Sequence, residues 1–314
     1  MSGVFVSMLQ VVRLAVGFAA MASVPVTGLH VATAQEASVL SPSSAWNLNY
    51  GEDRCRLLRT FGDDDSPTVL IMEQVSPSDH FELIIAGDTL RWVNDDRHAT
   101  LQMGPGYEAF ERRFHEGTLG EIKSALIFGS ISPVHGGLSA ADKPTSDEAS
   151  AYERIVHPID VPLAESGANI EWIEFAHRNR VVRLNTGPLA KALEGLTTCT
   201  ADLVRSWGLD PEAVASVVAN PEITNIEHVA RRIQRTYPSK ALRRGEMATI
   251  HVRTIIDEHG QIASCTQLEL TKAENFADAA CNIILREAKF EPARDASGKP
   301  VRMYSTNRIR YIIP

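Results

Sequence analysis

The sequence is poor in the features that mark several large classes of protein. Aromatic residues make up only 6% of the 314 residues, which argues against the stacking surfaces that bind single-stranded nucleic acid. Lys and Arg number 31 against 39 Asp and Glu, and the net charge of −8 disfavours binding to a phosphate backbone. No stretch supplies the roughly 20 apolar residues that each helix of a polytopic membrane protein needs. The hydrophobic content of 44% is nevertheless typical of a folded globular protein.

Motifs that carry catalysis or bind metals are also missing. No C-x-x-C pair occurs, and the ten histidines show neither H-x-H nor H-x-x-x-H spacing, so we predict neither a redox pair nor a zinc site. Gly104–Ala109 fits G-x-G-x-x-A, but Pro105 and the lack of a βαβ context favour a turn. His135-Gly136-Gly137 is similar to an oxyanion loop, yet no G-x-S-x-G nucleophile motif is present. The sequence therefore predicts a non-enzymatic protein without a cofactor or metal.

The first 34 residues have the pattern of a secretory signal peptide. Arg13 precedes an apolar run from Leu14 to Met21, and Ala32-Thr33-Ala34 has the small-x-small pattern of a cleavage site. Cleavage there would release an exported chain that begins at Gln35. The alternative is an uncleaved anchor, and only in that case do we expect the protein to associate with a membrane.

The sequence contains four cysteines: Cys55, Cys199, Cys265 and Cys281. In an exported chain they would be exposed to an oxidising compartment. An even number favours two disulfides, and three pairings are possible. Cys265 and Cys281 would close a short loop within one subdomain, which would leave Cys55 to pair with Cys199. Four buried free thiols are the alternative.

A change in charge and a cluster of Gly and Pro residues divide the chain near residues 208–222. Residues 35–221 carry 15 basic and 28 acidic side chains, whereas residues 222–314 carry 15 basic and 11 acidic ones. Gly and Pro residues interrupt the chain between the two parts, and all four tryptophans precede the break. We therefore expect a signal peptide over residues 1–34, a first domain over 35–221 and a second domain over 222–314. The opposite charges predict salt-sensitive docking of the two domains.

The first domain has the pattern of a mainly antiparallel β domain closed by one helix. Short β-rich runs at 55–61, 68–74 and 81–86 are separated by polar turns. Pro188–Trp207 is the predicted helix, with a proline near its first turn, and a Cys55–Cys199 bond would link it to the first strand. Residues 129–150, which are rich in small residues, predict a loop.

The second domain has the pattern helix, strand, strand, helix, strand, so the whole chain is predicted to be an α+β protein. Apolar periodicity places these elements at 222–237, 248–256, 261–270, 275–288 and 301–313. The turn after the first strand contains Gly260, placed for a positive φ.

These elements resemble the C-terminal domain of TonB-family proteins. The matching segments include Tyr237-Pro238, the strand Ile250–Ile256, Phe290-Glu291-Pro292-Ala293 and Gly298-Lys299-Pro300-Val301. The resemblance covers about residues 230–314. It implies the fold of this domain and a mode of binding in which a partner's peptide segment adds as a strand at the sheet edge.

The resemblance also implies partner-binding residues. The family's glutamine, three residues before Tyr-Pro and placed to meet a receptor peptide, corresponds to Gln234, so Gln234, Tyr237 and Pro238 are the candidates. On the last strand, Arg302, Arg308 and Arg310 share one side. They would either protect a solvated edge or steer an acidic partner.

The chain also departs from the family's energy transducers. It lacks their long Pro-rich spacer, and an acidic globular domain occupies that place. We therefore expect a periplasmic interaction protein that binds an envelope protein or peptide, with a link to TonB-type transport. The alternatives are a periplasmic enzyme with its site in the first domain, and a true energy transducer held in the inner membrane by an uncleaved anchor.

The family pattern makes one further prediction about the second domain. The Cys265–Cys281 pair is similar to that of a disulfide-bearing branch of the family. In a regular strand Cys265 would face away from Ile262, whereas the family pattern has both pointing inward. The sequence therefore predicts a β-bulge near Ala263-Ser264.

Overall fold

The computed structural model describes residues 37–93, 97–134, 136–137, 152–154, 162–269, 274–276, 278–311 and 313. Residues 35–314 form one compact unit. The predicted α+β class is confirmed, because mostly antiparallel sheets combine with short helices. The predicted signal peptide lies outside the described residues. Among the residues that are described, no helix has both the length and the apolar character needed to cross a membrane.

Residues 37–219 form a β-rich part. Its strands are β1 (Ser38–Leu40), β2 (Asn47–Tyr50), β3 (Cys55–Phe61), β4 (Thr68–Gln74), β5 (Phe81–Ala86), β6 (His98–Pro105), β7 (Phe110–Arg113), β8 (His115–Leu119), β9 (Ile122–Ser132), β10 (Gly136–Gly137), β11 (Tyr152–Arg154), β12 (Ile170–His177), β13 (Arg180–Leu184) and β14 (Val217–Ala219). Its helices are α1 (Leu163–Gly167), α2 (Ala190–Ser206) and α3 (Pro211–Ala215).

Two sheets and the long helix enclose the core of the β-rich part. The first sheet has the order β1-β13-β12-β6-β7, and the second has the order β10-β9-β5-β4-β3-β2 with β8 beside β9. Leu193 and Leu196 of α2 are fully buried in this core. The disulfide Cys55–Cys199 joins α2 to β3, which is one of the two pairs predicted from the sequence.

Residues 222–313 form a C-terminal module. Its strands are β15 (Glu222–Ile223), β16 (Ala248–Ile256), β17 (Ile262–Glu269), β18 (Phe290–Glu291), β19 (Ala293–Asp295), β20 (Pro300–Val301) and β21 (Met303–Tyr311). Its helices are α4 (Ile226–Arg235), α5 (Ser239–Arg244) and α6 (Ala279–Glu287). The main sheet has the order β11-β21-β16-β17, so one short strand comes from the β-rich part.

The core of the C-terminal module lies between this sheet and two helices. Val229 and Ile233 of α4 and Ile284 of α6 pack against Ile250 and Ile309 of the sheet. Each such aliphatic side chain contributes roughly 1.5–3 kcal/mol by burial.

The hairpin between β16 and β17 has the predicted irregularities. Ile255 pairs with Ser264 and Ile256 with Ile262, which leaves Ala263 as the extra residue of a bulge. The bulge turns both Ile262 and Cys265 toward the core, so the prediction is confirmed. Cys265 is bonded to Cys281 of α6, the second predicted pair.

Four predicted boundaries were wrong, two of them in the C-terminal module. The helix predicted from residue 222 begins at 226, because Glu222–Ile223 pair with β18 and Asn225 bonds the backbone of Glu287 and Lys289. The helix predicted over 275–288 is a short 3₁₀ turn followed by α6.

The other two corrections concern the β-rich part. Residues 129–132, predicted as loop, continue strand β9, since Ile131 is buried in the core. Of the remainder of that predicted loop, residues 135 and 138–150 lie outside the described residues. Gly104 and Pro105, predicted as a turn, end strand β6, and the ring of Trp172 lies where a side chain of residue 104 would be.

Candidate partner-binding surface

The two faces of the C-terminal sheet have different neighbours. Alternation along β16 and β21 places Ile250 and Ile309 on the helix-covered face. His251 and Arg308, directly opposite each other across the two strands, lie on the other face. That second face packs against the β-rich part, and we call this contact the seam.

Charged residues form part of the seam. Arg308 is ion-paired with Glu82 of β5. Arg253 Nη2 lies 3.1 Å from Asp53 Oδ1, and its guanidinium lies 4.2 Å from the ring centre of Trp207. These contacts join the acidic β-rich part to the more basic module, so opposite charges do meet at the seam.

His251 is the most deeply buried titratable group of the seam, with 2% of its surface exposed. Its Nε2 accepts a hydrogen bond from Arg308 Nε at 3.3 Å. Burial, together with the Arg308 and Arg54 cations, holds the pKa of His251 well below its ordinary value of 6.5. The imidazole is therefore neutral, with its proton on Nδ1.

A small cavity lined mainly by polar and titratable residues opens within the seam. Its lining is Glu73, Gln74, Val75, Ser76, Ser78, His80, Phe81, Glu82, Ser130, His251 and Thr306. Several of these groups already have partners, since Glu73 is paired with Arg54 and Arg56, and Gln74 Nε2 donates to the carbonyl of His80 at 2.7 Å. The cavity thus collects titratable side chains from both parts of the chain.

The arrangement around His80 differs from a hydrolase triad. Asp79 Oδ1 and Ser78 Oγ lie 2.5 and 2.9 Å from the same atom, His80 Nδ1. A serine–histidine–aspartate relay requires the serine and the aspartate on different ring nitrogens. Within the described ranges, no group of three or more His, Cys, Asp or Glu side chains is placed to hold a metal ion.

The other part of the seam is apolar. Val204 and Leu209 of the β-rich part pack with Ile255, Met303 and Tyr304 of the module in a third hydrophobic cluster. In addition, β14 pairs with β19 across the same region. This apolar region lies next to the segment that connects the two parts.

Tyr237, one of the predicted partner-binding residues around the end of α4, contacts one end of β21. The Tyr237 ring lies 5.5 Å from the ring of Tyr311, the last residue of β21, and its hydroxyl donates to the carbonyl of Glu246 at 2.7 Å. Gln234 is exposed, and Pro238 is half-buried immediately before α5. Tyr237 is thus a packing residue, while Gln234 is the member of this set available at the surface.

The three arginines of the last strand are in different environments. Arg302 is exposed between β20 and β21, and Arg310 is half-buried. Arg308, expected at a solvated edge, is instead drawn into the seam by Glu82 and His251. The solvated-edge interpretation was therefore wrong for Arg308, because its side chain lies against the β-rich part and is only 11% exposed.

The outer edge of β21 is already paired along part of its length. Tyr152, Glu153 and Arg154 of β11 lie opposite Ile309, Arg308 and Asn307. On the opposite side of the sheet, the outer edge of β17 has no strand partner among the residues that the structure describes.

The seam residues were missed by sequence reasoning. His251 and Arg253 alternate with apolar residues along β16, a pattern that is equally typical of a strand with one solvated face. Ile255 is the signal that could have identified them, because alternation along β16 places this apolar residue on the same face as His251 and Arg253. Its position indicates that something covers this face.

Comparison with known proteins supports the assignment of the module. It is a small α+β domain with two helices on one face of an antiparallel sheet. Residues 233–313, about a quarter of the chain, match the family model described as the Gram-negative bacterial TonB protein C-terminal. This segment is a TonB-family C-terminal domain, as the resemblance predicted. Searches of curated proteins and of solved structures found no match.

The family match indicates a general type of function. Its domains are non-enzymatic modules that interact with other proteins of the cell envelope. The C-terminal module is therefore a TonB-like envelope interaction module.

Proposed function

We propose that the protein is exported to the periplasm and that its C-terminal module holds an extended segment of another envelope protein by strand addition. The family match over residues 233–313 carries this proposal. The two disulfides support an oxidising compartment. A link to TonB-type transport follows from the same family.

The proposed binding site for the partner segment is the outer edge of β21. A strand edge offers a row of backbone N–H and C=O groups to which an extended peptide adds, while nearby side chains give specificity. Tyr237 contacts Tyr311 at one end of this strand. Gln234 is exposed three residues before Tyr237 and Pro238 follows it directly, so we expect both to meet one end of the bound segment.

A partner on this edge would have to take the place of β11. The resident strand pairs over only three residues, from Asn307 to Ile309, whereas β21 has nine. A longer partner segment would form more backbone hydrogen bonds with β21 than β11 does. These additional hydrogen bonds would allow the partner to displace β11.

Binding can be tested by affinity capture with the full mature chain from envelope extracts. We expect the wild type to retain a specific partner and Gln234→Ala to retain at least about five-fold less, equivalent to roughly 1 kcal/mol. Gln261→Ala is the matched control, since Gln261 is also exposed but lies at the hairpin turn of the same sheet. Equal retention by both variants would contradict the proposed surface.

Export can be tested by intact-mass measurement of the protein in its native host. The proposal expects a periplasmic product that begins at Gln35. A membrane-bound product that retains Arg13 would instead support the anchored energy transducer.

A further inference from the structure

The seam is divided into two regions of opposite character. Its apolar region, with Val204, Leu209 and Met303, lies next to the connection between the two parts. Its polar region consists of the Glu82–Arg308 ion pair, His251 and the cavity beside them. Apolar contacts do not change over the acidic pH range, whereas the polar region depends on the protonation of its members.

The polar region is incompletely satisfied. Arg308 Nε can only donate, so His251 Nε2 must accept, and the proton of the neutral imidazole is on Nδ1. This buried Nδ1 has no hydrogen-bond partner among the described residues, and neither has Gln74 Oε1 across the cavity. Buried polar atoms left without partners cost about 1–3 kcal/mol each, which weakens this side of the contact.

We infer that the polar region of the seam is a latch that opens when His251 is protonated, while the apolar region acts as the hinge. The inference concerns how the module is held and does not depend on the identity of a partner.

Protonation of His251 would remove an interaction and add a repulsion. With protons on both nitrogens, the ring can no longer accept the bond from Arg308 Nε. The new charge would be buried beside Arg308 and close to Arg54.

The other titratable groups around the cavity offset this charge only in part. Glu82 of β5 is engaged by Arg308, and Glu73 of β4 is engaged by Arg54 and Arg56. His80 of the segment before β5 also lines the cavity, where it is paired with Asp79. Protonation of His251 therefore adds net positive charge at this contact, which favours separation of the module's sheet face from the β-rich part.

Opening would uncover the sheet face that carries His251, Thr306 and Arg308. This face adjoins the β21 edge, so the latch would control access to the module from the side of the β-rich part.

Small-angle scattering of the mature protein between pH 7.5 and 4.5 tests the latch. For the wild type we expect the radius of gyration to rise between about pH 6.5 and 5, with the far-ultraviolet circular dichroism spectrum unchanged. His251→Gln keeps an acceptor for Arg308 but cannot be charged, so its transition should fall by at least about one pH unit, toward the carboxylate range. His228→Gln is the control, because His228 is an exposed histidine bonded to Glu287 on α6.

Several results would overturn the inference. They are a wild type that stays compact down to pH 4.5, a His251→Gln variant that opens at the wild-type pH, or an equal shift in His228→Gln. Should His251→Gln fail to fold, Glu82→Gln provides a second test, since loss of that carboxylate should open the latch at pH 7.5. A Glu82→Gln variant that stays compact at that pH would equally refute the latch.

Discussion

Arg308, on the last strand of the C-terminal sheet, forms an ion pair with Glu82 of the β-rich part, although 226 residues separate them in the chain. The two side chains are only 11% and 12% exposed. A pair buried to this extent is costly to break, because removal of one partner leaves the other charge in a medium of low polarity. The interaction therefore ties the interaction module to the rest of the protein.

A double-mutant cycle on this pair should show strong coupling. Glu82→Gln and Arg308→Gln should each lower the free energy of unfolding by about 3 kcal/mol, and the double variant should lose less than the sum. Urea unfolding at pH 7 and constant salt measures all four proteins.

The exposed pair Asp202–Arg205, three residues apart on α2, is the control for that cycle. Its coupling should be below about 0.5 kcal/mol, because solvent screens both charges. Equal coupling at the two pairs would show that the Glu82–Arg308 contact is solvated in solution.

The two disulfides should differ in their contribution to stability. Cys55–Cys199 closes a separation of 144 residues and Cys265–Cys281 one of 16. The chain-entropy model then gives about 5 kcal/mol for the long loop and about 3 kcal/mol for the short one. Paired alanine variants, compared by urea unfolding, should follow that order. Peptide mapping under non-reducing conditions checks the pairing itself, and a mixed peptide such as Cys55–Cys281 would refute it.

Two glycines of the module allow the cost of backbone strain to be measured separately from the cost of steric crowding. Gly245, after α5, and Gly260, in the β16–β17 hairpin, both have positive φ, at 65° and 79°. Alanine at either position should cost about 1 kcal/mol from the left-handed conformation. A Cβ on Gly260 would also lie 2.3 Å from the carbonyl oxygen of Phe290, whereas Gly245 has open space. Gly260→Ala should therefore be clearly more destabilising than Gly245→Ala, and similar melting temperatures for the two would argue against this packing.

Tyr304 makes the seam sensitive to alkali. Burial raises the pKa of Tyr304 from 10 to about 12. Between those values the unfolded chain gives up the proton that the folded chain retains, so this contribution to stability is complete below pH 10 and is lost as the pH rises. Each pH unit in that interval costs about 1.4 kcal/mol. Unfolding of wild type and Tyr304→Phe at pH 9 and 11.5 measures the difference, and a constant gap between them would contradict the burial of the hydroxyl.

Much of the architecture could be predicted from local patterns. Apolar periodicity gave the strand–strand–helix–strand order of the module, because each element buries one face against one neighbour. The bulge at Ala263 was instead predicted from the family resemblance, in which Ile262 and Cys265 both point inward. Boundaries failed where a distant backbone decided them, as at Glu222–Ile223, which pair with β18.

The seam could not be predicted in the same way. Nothing local distinguishes Arg308 on a solvated edge from Arg308 beside a carboxylate 226 residues away. Likewise, the pairing of β11 with β21 depends on contacts between segments far apart in the chain. The candidate residues at Gln234, Tyr237 and Pro238 came from a family resemblance, and the structure adds the contact of Tyr237 with Tyr311.

Site-specific photo-cross-linking in living cells tests the proposed function most directly. A photoreactive amino acid is placed at Gln234 in the full chain, and at Glu194, an exposed position on α2, as the control. If the module holds an envelope segment along β21, position 234 should give one discrete cross-linked product, and position 194 should give none. The absence of a product at 234, or the same product at both positions, would contradict binding at this surface.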